Sequence, residues 1–128
     1  MKEVLLDNDY LKIEVENNVL IGTFKNEVVD LSVCHKITEY RLEIQKGKSY
    51  PLLSNIKSIK NISKPARDFM ASKEGCEGVV AAAVLIGSPL GSMIGNFFIS
   101  ISRPLRPTKI FTNETDAKKW LAQFVKED

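Results

Sequence analysis

At 128 residues the chain reads as one domain, residues 1–128, long enough to bury about two-thirds of its unfolded surface. Its composition, 44% apolar and 27% charged, is that of a folded globular protein, and its net charge of +2 is too small to argue for nucleic acid. Two cysteines without metal-ligand spacing read as reduced thiols. The opening Met-Lys-Glu-Val-Leu-Leu-Asp has no leader pattern, so a cytoplasmic location is expected.

Leu11, Ile13 and Val15 alternate with Lys12, Glu14 and Glu16, as in a half-exposed strand. Asn17-Asn18 follows as a two-residue hairpin loop, because asparagine tolerates positive φ. The return strand then pairs Val15 with Leu20 and Ile13 with Gly22, which puts Leu11, Ile13, Val15, Leu20 and Phe24 on one face. Asp30 is placed to cap a first helix, in which Val33, Ile37, Tyr40 and Ile44 recur at helical spacing and Gly47 is the stop.

Residues 49–56 are short and apolar, with Pro51 near the start, where a missing N–H harms a ladder least. Residues 57–61 read as a polar connection interrupted by Ile59. Ser63 before Lys64-Pro65 marks a helix start: the hydroxyl accepts an orphan N–H and proline has none to lose. Phe69 and Met70 then face the core, and Gly75 is read as the stop. Residues 78–87 hold no polar side chain, so they are read as a strand buried on both faces; at that length they cannot span a membrane, which takes about 20 residues.

Ser88-Pro89 repeats the device of Ser63 and opens a third helix through Leu90, Ile94, Phe97, Phe98 and Ile101. Residues 102–107 are a proline-stiffened connection and 108–112 a last short strand. Asn113 or Thr112 caps a final helix with the apolar stripe Ala117, Trp120, Leu121 and Phe124. The expected order is ββαβαβαβα, an α/β sandwich of five strands and four helices with a mostly parallel sheet and an antiparallel N-terminal hairpin.

That order resembles the STAS domain of the anti-sigma factor antagonists, and especially its SpoIIAA-like branch of uncharacterised bacterial proteins. The passages carrying the resemblance are residues 52–67, the run from Ala81 to Leu90, and Asn96-Phe-Phe followed by residues 107–112. The resemblance implies a regulatory interaction module. In the antagonists a serine at the start of the second helix is phosphorylated, after an aspartate. Laid on this chain, the aspartate falls at Ser63 and the serine pair at Lys64 and Pro65, so the phosphoacceptor is missing. The surface around Ser63, Lys64 and Arg67 is the expected protein-binding region.

Gly87, Ser88, Gly91 and Ser92 follow the most buried strand and open a helix, where backbone N–H groups can hold an anion. Pro89 removes one donor there and no P-loop lysine follows. The third helix is apolar around more than half its circumference. Its Met93, Phe97, Phe98 and Ile101 suggest a homodimer interface or an apolar ligand pocket against the sheet. His35 beside Cys34 does not make a nucleophile pair, because adjacent helix positions diverge by about 100°. Glu74 and Glu77 are expected to raise the pKa of Cys76. No catalytic constellation, cofactor motif or metal set is visible. The expectation is a non-enzymatic interaction module, with a small-molecule carrier as the alternative.

Overall fold

The computed structural model describes residues 2–87 and 105–125. Its main sheet has six strands in the order β1 (Glu3–Asp7), β2 (Leu11–Glu16), β3 (Val19–Phe24), β5 (Tyr50–Asn55), β7 (Val79–Leu85) and β8 (Thr108–Phe111). β1, β2 and β3 are antiparallel neighbours, and the pairings from β3 through β8 are parallel. The expected hairpin register holds, with Val15 opposite Leu20 and Ile13 opposite Gly22. Asn17 and Asn18 take φ of 51° and 63°, the left-handed region that their short polar side chains tolerate.

One strand more than expected stands in this sheet. β1 is the outer strand, and its register slips between Val4 and Leu6. A bulge breaks the two-residue alternation that sequence reading relies on. Its Val4 and Leu5 are apolar yet exposed, so the segment follows neither the alternating nor the buried strand pattern.

Three helices are described where four were expected. They are α1 (Leu31–Gln45), α2 (Lys64–Met70) and α3 (Glu114–Ala122). The helix expected to start at Ser88-Pro89 lies outside the described residues. α1 begins where Asp30 accepts a bond from Val33 N–H at 2.9 Å, and it ends on Lys46 in the left-handed region with Gly47 next. Asn113 caps α3 by accepting from Asp116 N–H at 3.0 Å.

α1 and α2 fill the crossovers from β3 to β5 and from β5 to β7 and pack on one sheet face, where Leu11, Ile13, Leu20 and Val84 meet Ile37, Ala66 and Phe69. α3 packs on the other face, where Ile21, Leu53, Ala81, Ala83 and Leu85 meet Ala117 and Leu121. β7 therefore has core on both sides, as its unbroken apolar run requires. Ala81, Ala83 and Ala117 are fully buried, and such small side chains let helix and sheet approach closely.

The stretch 57–61, read as a polar connection, does more than connect. Asn61–Ile62 forms β6, which pairs in parallel with β4 (Val28–Val29) to make a two-stranded sheet. Ile59, Ile62 and Val29 are buried, so this small sheet closes the core beyond the carboxyl ends of β3 and β5.

Candidate functional site

Among the described residues, two regions bring functional side chains together, one at each end of the parallel strands. At the carboxyl end, α1 and α2 start side by side, joined by β4 and β6. Ser63 is a structural cap: its Oγ accepts from Ala66 N–H at 3.3 Å, and its own N–H donates to Val29 O at 3.0 Å. Lys64 is exposed and pairs with Asp68 at 2.9 Å. Arg67 folds back and donates from Nη1 to Ile62 O at 2.9 Å. The three residues share one helix start, but only Lys64 presents its charge outward.

Of the four basic residues there, Lys57, Lys60, Lys64 and Arg67, two are paired with carboxylates. Lys60 lies 3.5 Å from Glu27, Lys64 is paired as above, and exposed Asp30 sits at the head of α1. What remains distinctive is apolar: Val28 is 62% exposed and Leu31 38%, and both flank these helix starts. Sequence reading missed both, because Val28 lies in a two-residue apolar step and Leu31 stands alone between Asp30 and Ser32, so neither carries a period. Gly87 follows the end of β7 at the same edge, is exposed, and has no atom of the described residues within 4 Å of an added Cβ. Ser88, Gly91 and Ser92, the rest of the expected anion site, lie outside the described residues. So do Met93, Phe97, Phe98 and Ile101, the expected oligomer contact.

At the amino end, α1 carries two buried polar residues that sequence reading did not single out. Arg41 and Gln45 are 6% and 3% exposed. Arg41 donates from Nη1 to Gln45 Oε1 and to Glu77 O (2.8 Å), and from Nη2 to Gly75 O (3.2 Å). Gln45 Nε2 donates to Lys48 O (2.7 Å) and Gly78 O (2.9 Å). Together they clasp the turn that leads into β7. Gly78 sits at φ 76°, and a Cβ there would lie 2.7 Å from Gln45 Nε2. The guanidinium's burial draws its pKa down, against the opposing pull of Cys76 and Glu77.

Cys76 lies within this turn. Its pKa is raised by burial, while Arg106 and Arg41 pull it the other way. The expected cause, the neighbouring carboxylates, is therefore replaced: the charges that matter are two guanidiniums. Cys34 is buried deeper, and its thiol, 3.8 Å from Ala66 O, is pushed up to about 11 by burial and the charge of Asp30. His35 packs its ring, tilted by 51°, against Phe69 with centroids 4.3 Å apart, while the Cys34 thiol lies against Ala66 O. Among the described residues no group of three His, Cys, Asp or Glu could hold a metal ion, and no helix is long and apolar enough to cross a membrane.

The Cys34 thiol makes a testable prediction. The native state holds a proton that the unfolded chain releases near its ordinary value of 9.0. Its stabilising contribution is therefore complete below that pH and is lost as pH rises toward about 11. Native protein at pH 8 should leave Cys34 unalkylated until denaturant is added. Cys34→Ala should flatten the fall in stability between pH 9 and 11; an unchanged slope would assign that fall to other groups.

A cavity of about 110 Å³ lies between α1, the turn after α2 and the inner sheet face. Its floor is made of small side chains, Gly22, Ser54, Ala82 and Thr108, and its walls are mostly aliphatic. Arg41, Cys76 and Arg106 lie along it toward the amino end. The volume falls well below the roughly 300 Å³ at which pockets for drug-sized ligands begin.

The crystal structure of an uncharacterised protein of the DUF3478 family from Shewanella loihica PV-4, described as having a SpoIIAA-like fold, superposes with a TM-score of 0.64. The match covers 94% of this chain and 95% of that one at 14% identity, so it speaks for the fold alone. No curated protein matches the chain. The fold is SpoIIAA-like, as the resemblance in the sequence implied. The model of a domain of unknown function, DUF7793, matches residues 13–125, and the chain belongs to that family.

Proposed function

We propose that this chain is a non-enzymatic, STAS-like regulatory module that works in the cytoplasm, as a homodimer, and binds a protein partner through the surface around Ser63, Lys64 and Arg67. The observation that carries the reading is the pair of exposed apolar residues, Val28 and Leu31, beside the capped start of α2. Large apolar side chains held at a rigid edge between two helix starts lose nothing on being covered. The paired lysines around them leave little net charge, so apolar contact would carry affinity and Lys64 would orient the partner. Ser63 has its oxygen committed to the cap, which argues for a surface that does not depend on phosphorylation.

The test is a double variant, Val28→Glu with Lys64→Glu, used in affinity capture from the native host. It should lose a partner that wild type retains, while its melting temperature moves by no more than a surface pair accounts for, about 1 kcal/mol at most. Arg67→Ala is a poorer probe, because Arg67 also holds Ile62 O. A double variant that keeps every partner places the interaction elsewhere.

A second reading, a small-molecule carrier, is favoured by the cavity on the inner sheet face. At about 110 Å³ it suits a ligand near the size of benzene, which an engineered cavity of about 150 Å³ accepts.

A further inference from the structure

The cavity has an apolar end and a cationic end, and the cations are the unusual part. Arg41 is more than nine-tenths buried, and Arg106 lines the cavity close enough to act on the same Cys76 sulfur. Arg41 spends three of its N–H groups on Gln45, Glu77 and Gly75; Arg106 spends two, on Val79 O (3.0 Å) and Leu105 O (3.2 Å). A guanidinium has five. Both therefore keep donors with no acceptor among the described residues.

Neither guanidinium makes an ion pair with a carboxylate among the described residues. Backbone carbonyls satisfy hydrogen bonds but carry no net charge, so two cations sit beside one cavity with no ion-paired carboxylate among the described residues, although the charge of Glu77 still acts on Arg41. Arg41 is the buried one of the two, and a buried charge without a direct ion partner is costly. Thr38, Ser54 and Thr108 add hydroxyls along the same space.

We propose that this cavity binds a short-chain monocarboxylate, its hydrocarbon tail among Leu11, Leu20, Ile37 and Val84 and its carboxylate on Arg41 and Arg106. The inference rests on the carrier reading above and adds the ligand's class. Volume excludes a nucleotide or a long-chain acid, because about 110 Å³ holds on the order of six heavy atoms. The planar fork of arginine matches a carboxylate with two parallel bonds. One anionic head is enough, since the rest of the lining offers hydrocarbon and a few neutral hydroxyls but no further cation among the described residues.

The test uses isovalerate as probe and 3-methylbutan-1-ol as its neutral counterpart, on the full chain with methyl-labelled leucine, isoleucine and valine. Isovalerate should shift the Leu11, Ile37 and Val84 methyl signals saturably, and the alcohol should bind at least about tenfold more weakly. Arg106→Gln should erase that preference. Gly22→Ala should weaken both probes: the new Cβ would sit on the cavity floor, 3.8 Å from Leu11 Cδ1 and free of clash. Equal affinity for acid and alcohol overturns the carboxylate assignment and leaves the carrier reading standing. So does an Arg106→Gln variant that binds isovalerate as wild type does. If neither probe shifts a methyl signal, both readings fall. Should Arg106→Gln not fold, the comparison of the two probes on wild type decides alone.

Discussion

Arg41→Ala should lower the unfolding free energy by about 3 kcal/mol, because three acceptors lose their donor at once and each buried one costs about 1–3 kcal/mol. The acceptors are Gln45 Oε1, Glu77 O and Gly75 O. Two of them are partly buried backbone carbonyls of the turn that delivers β7 to the centre of the sheet. Domains of this size hold about 5–15 kcal/mol in all, so the loss would be readily visible as a lower urea midpoint. Arg41→Lys should recover little, since a single ammonium cannot span acceptors that a planar fork reaches from two nitrogens. Arg41→Met, which keeps the bulk, separates packing from bonding: it should lose nearly as much as alanine. A midpoint for Arg41→Ala within about 0.5 kcal/mol of wild type would mean that water replaces the guanidinium at no cost and that the clasp is incidental.

The clasp also marks the limit of what the sequence could disclose. Hydrophobic periodicity placed α1 correctly, from Asp30 to Gly47, and named Ile37 as core. The buried row, however, runs Cys34, Ile37, Arg41, Gln45. Reading by apolar spacing assigns polar residues to solvent, so it chose Val33, Tyr40 and Ile44, which are only partly buried. A usable signal did exist in the glycines at 75 and 78, whose turn leaves carbonyls that some donor must satisfy. β1 escaped for the opposite reason: it is apolar but exposed and bulged, and so follows neither strand pattern. The hairpin, the caps and β7 were legible because turn chemistry, capping hydroxyls and an unbroken apolar run are local properties. Site geometry was not, because it joins α1 to a turn more than 30 residues away.

The same turn supplies the second large effect. Gly75 was read as a helix stop, yet α2 ends at Met70, and Ser72 takes up a carbonyl of its last turn by donating from Oγ to Phe69 O at 2.5 Å. Glycine is needed at 75 for space. A Cβ there would lie 2.1 Å from Phe69 O and 3.1 Å from both Phe69 C and Met70 Cα. All three obstacles are backbone, so no side-chain rotation relieves them. Gly75→Ala should therefore cost about 3 kcal/mol, the upper part of the range for overpacking. Gly87→Ala is the control: its Cβ meets nothing among the described residues, and stability should stay within about 0.5 kcal/mol of wild type.

The two effects are not independent. Gly75 N–H is held by Ser72 Oγ at 3.1 Å and its carbonyl by Arg41 Nη2 at 3.2 Å, so moving the turn off Phe69 O also pulls Gly75 O from the guanidinium. Once alanine has displaced the turn, removing Arg41 should cost less than it does in wild type. The double variant should then be more stable than the sum of the single losses predicts, by about 1 kcal/mol, within the usual range for residues in contact. Strict additivity would show that the turn absorbs the new Cβ without moving its carbonyl. The clash would then be relieved by α2, whose last turn must shift away from the sheet instead.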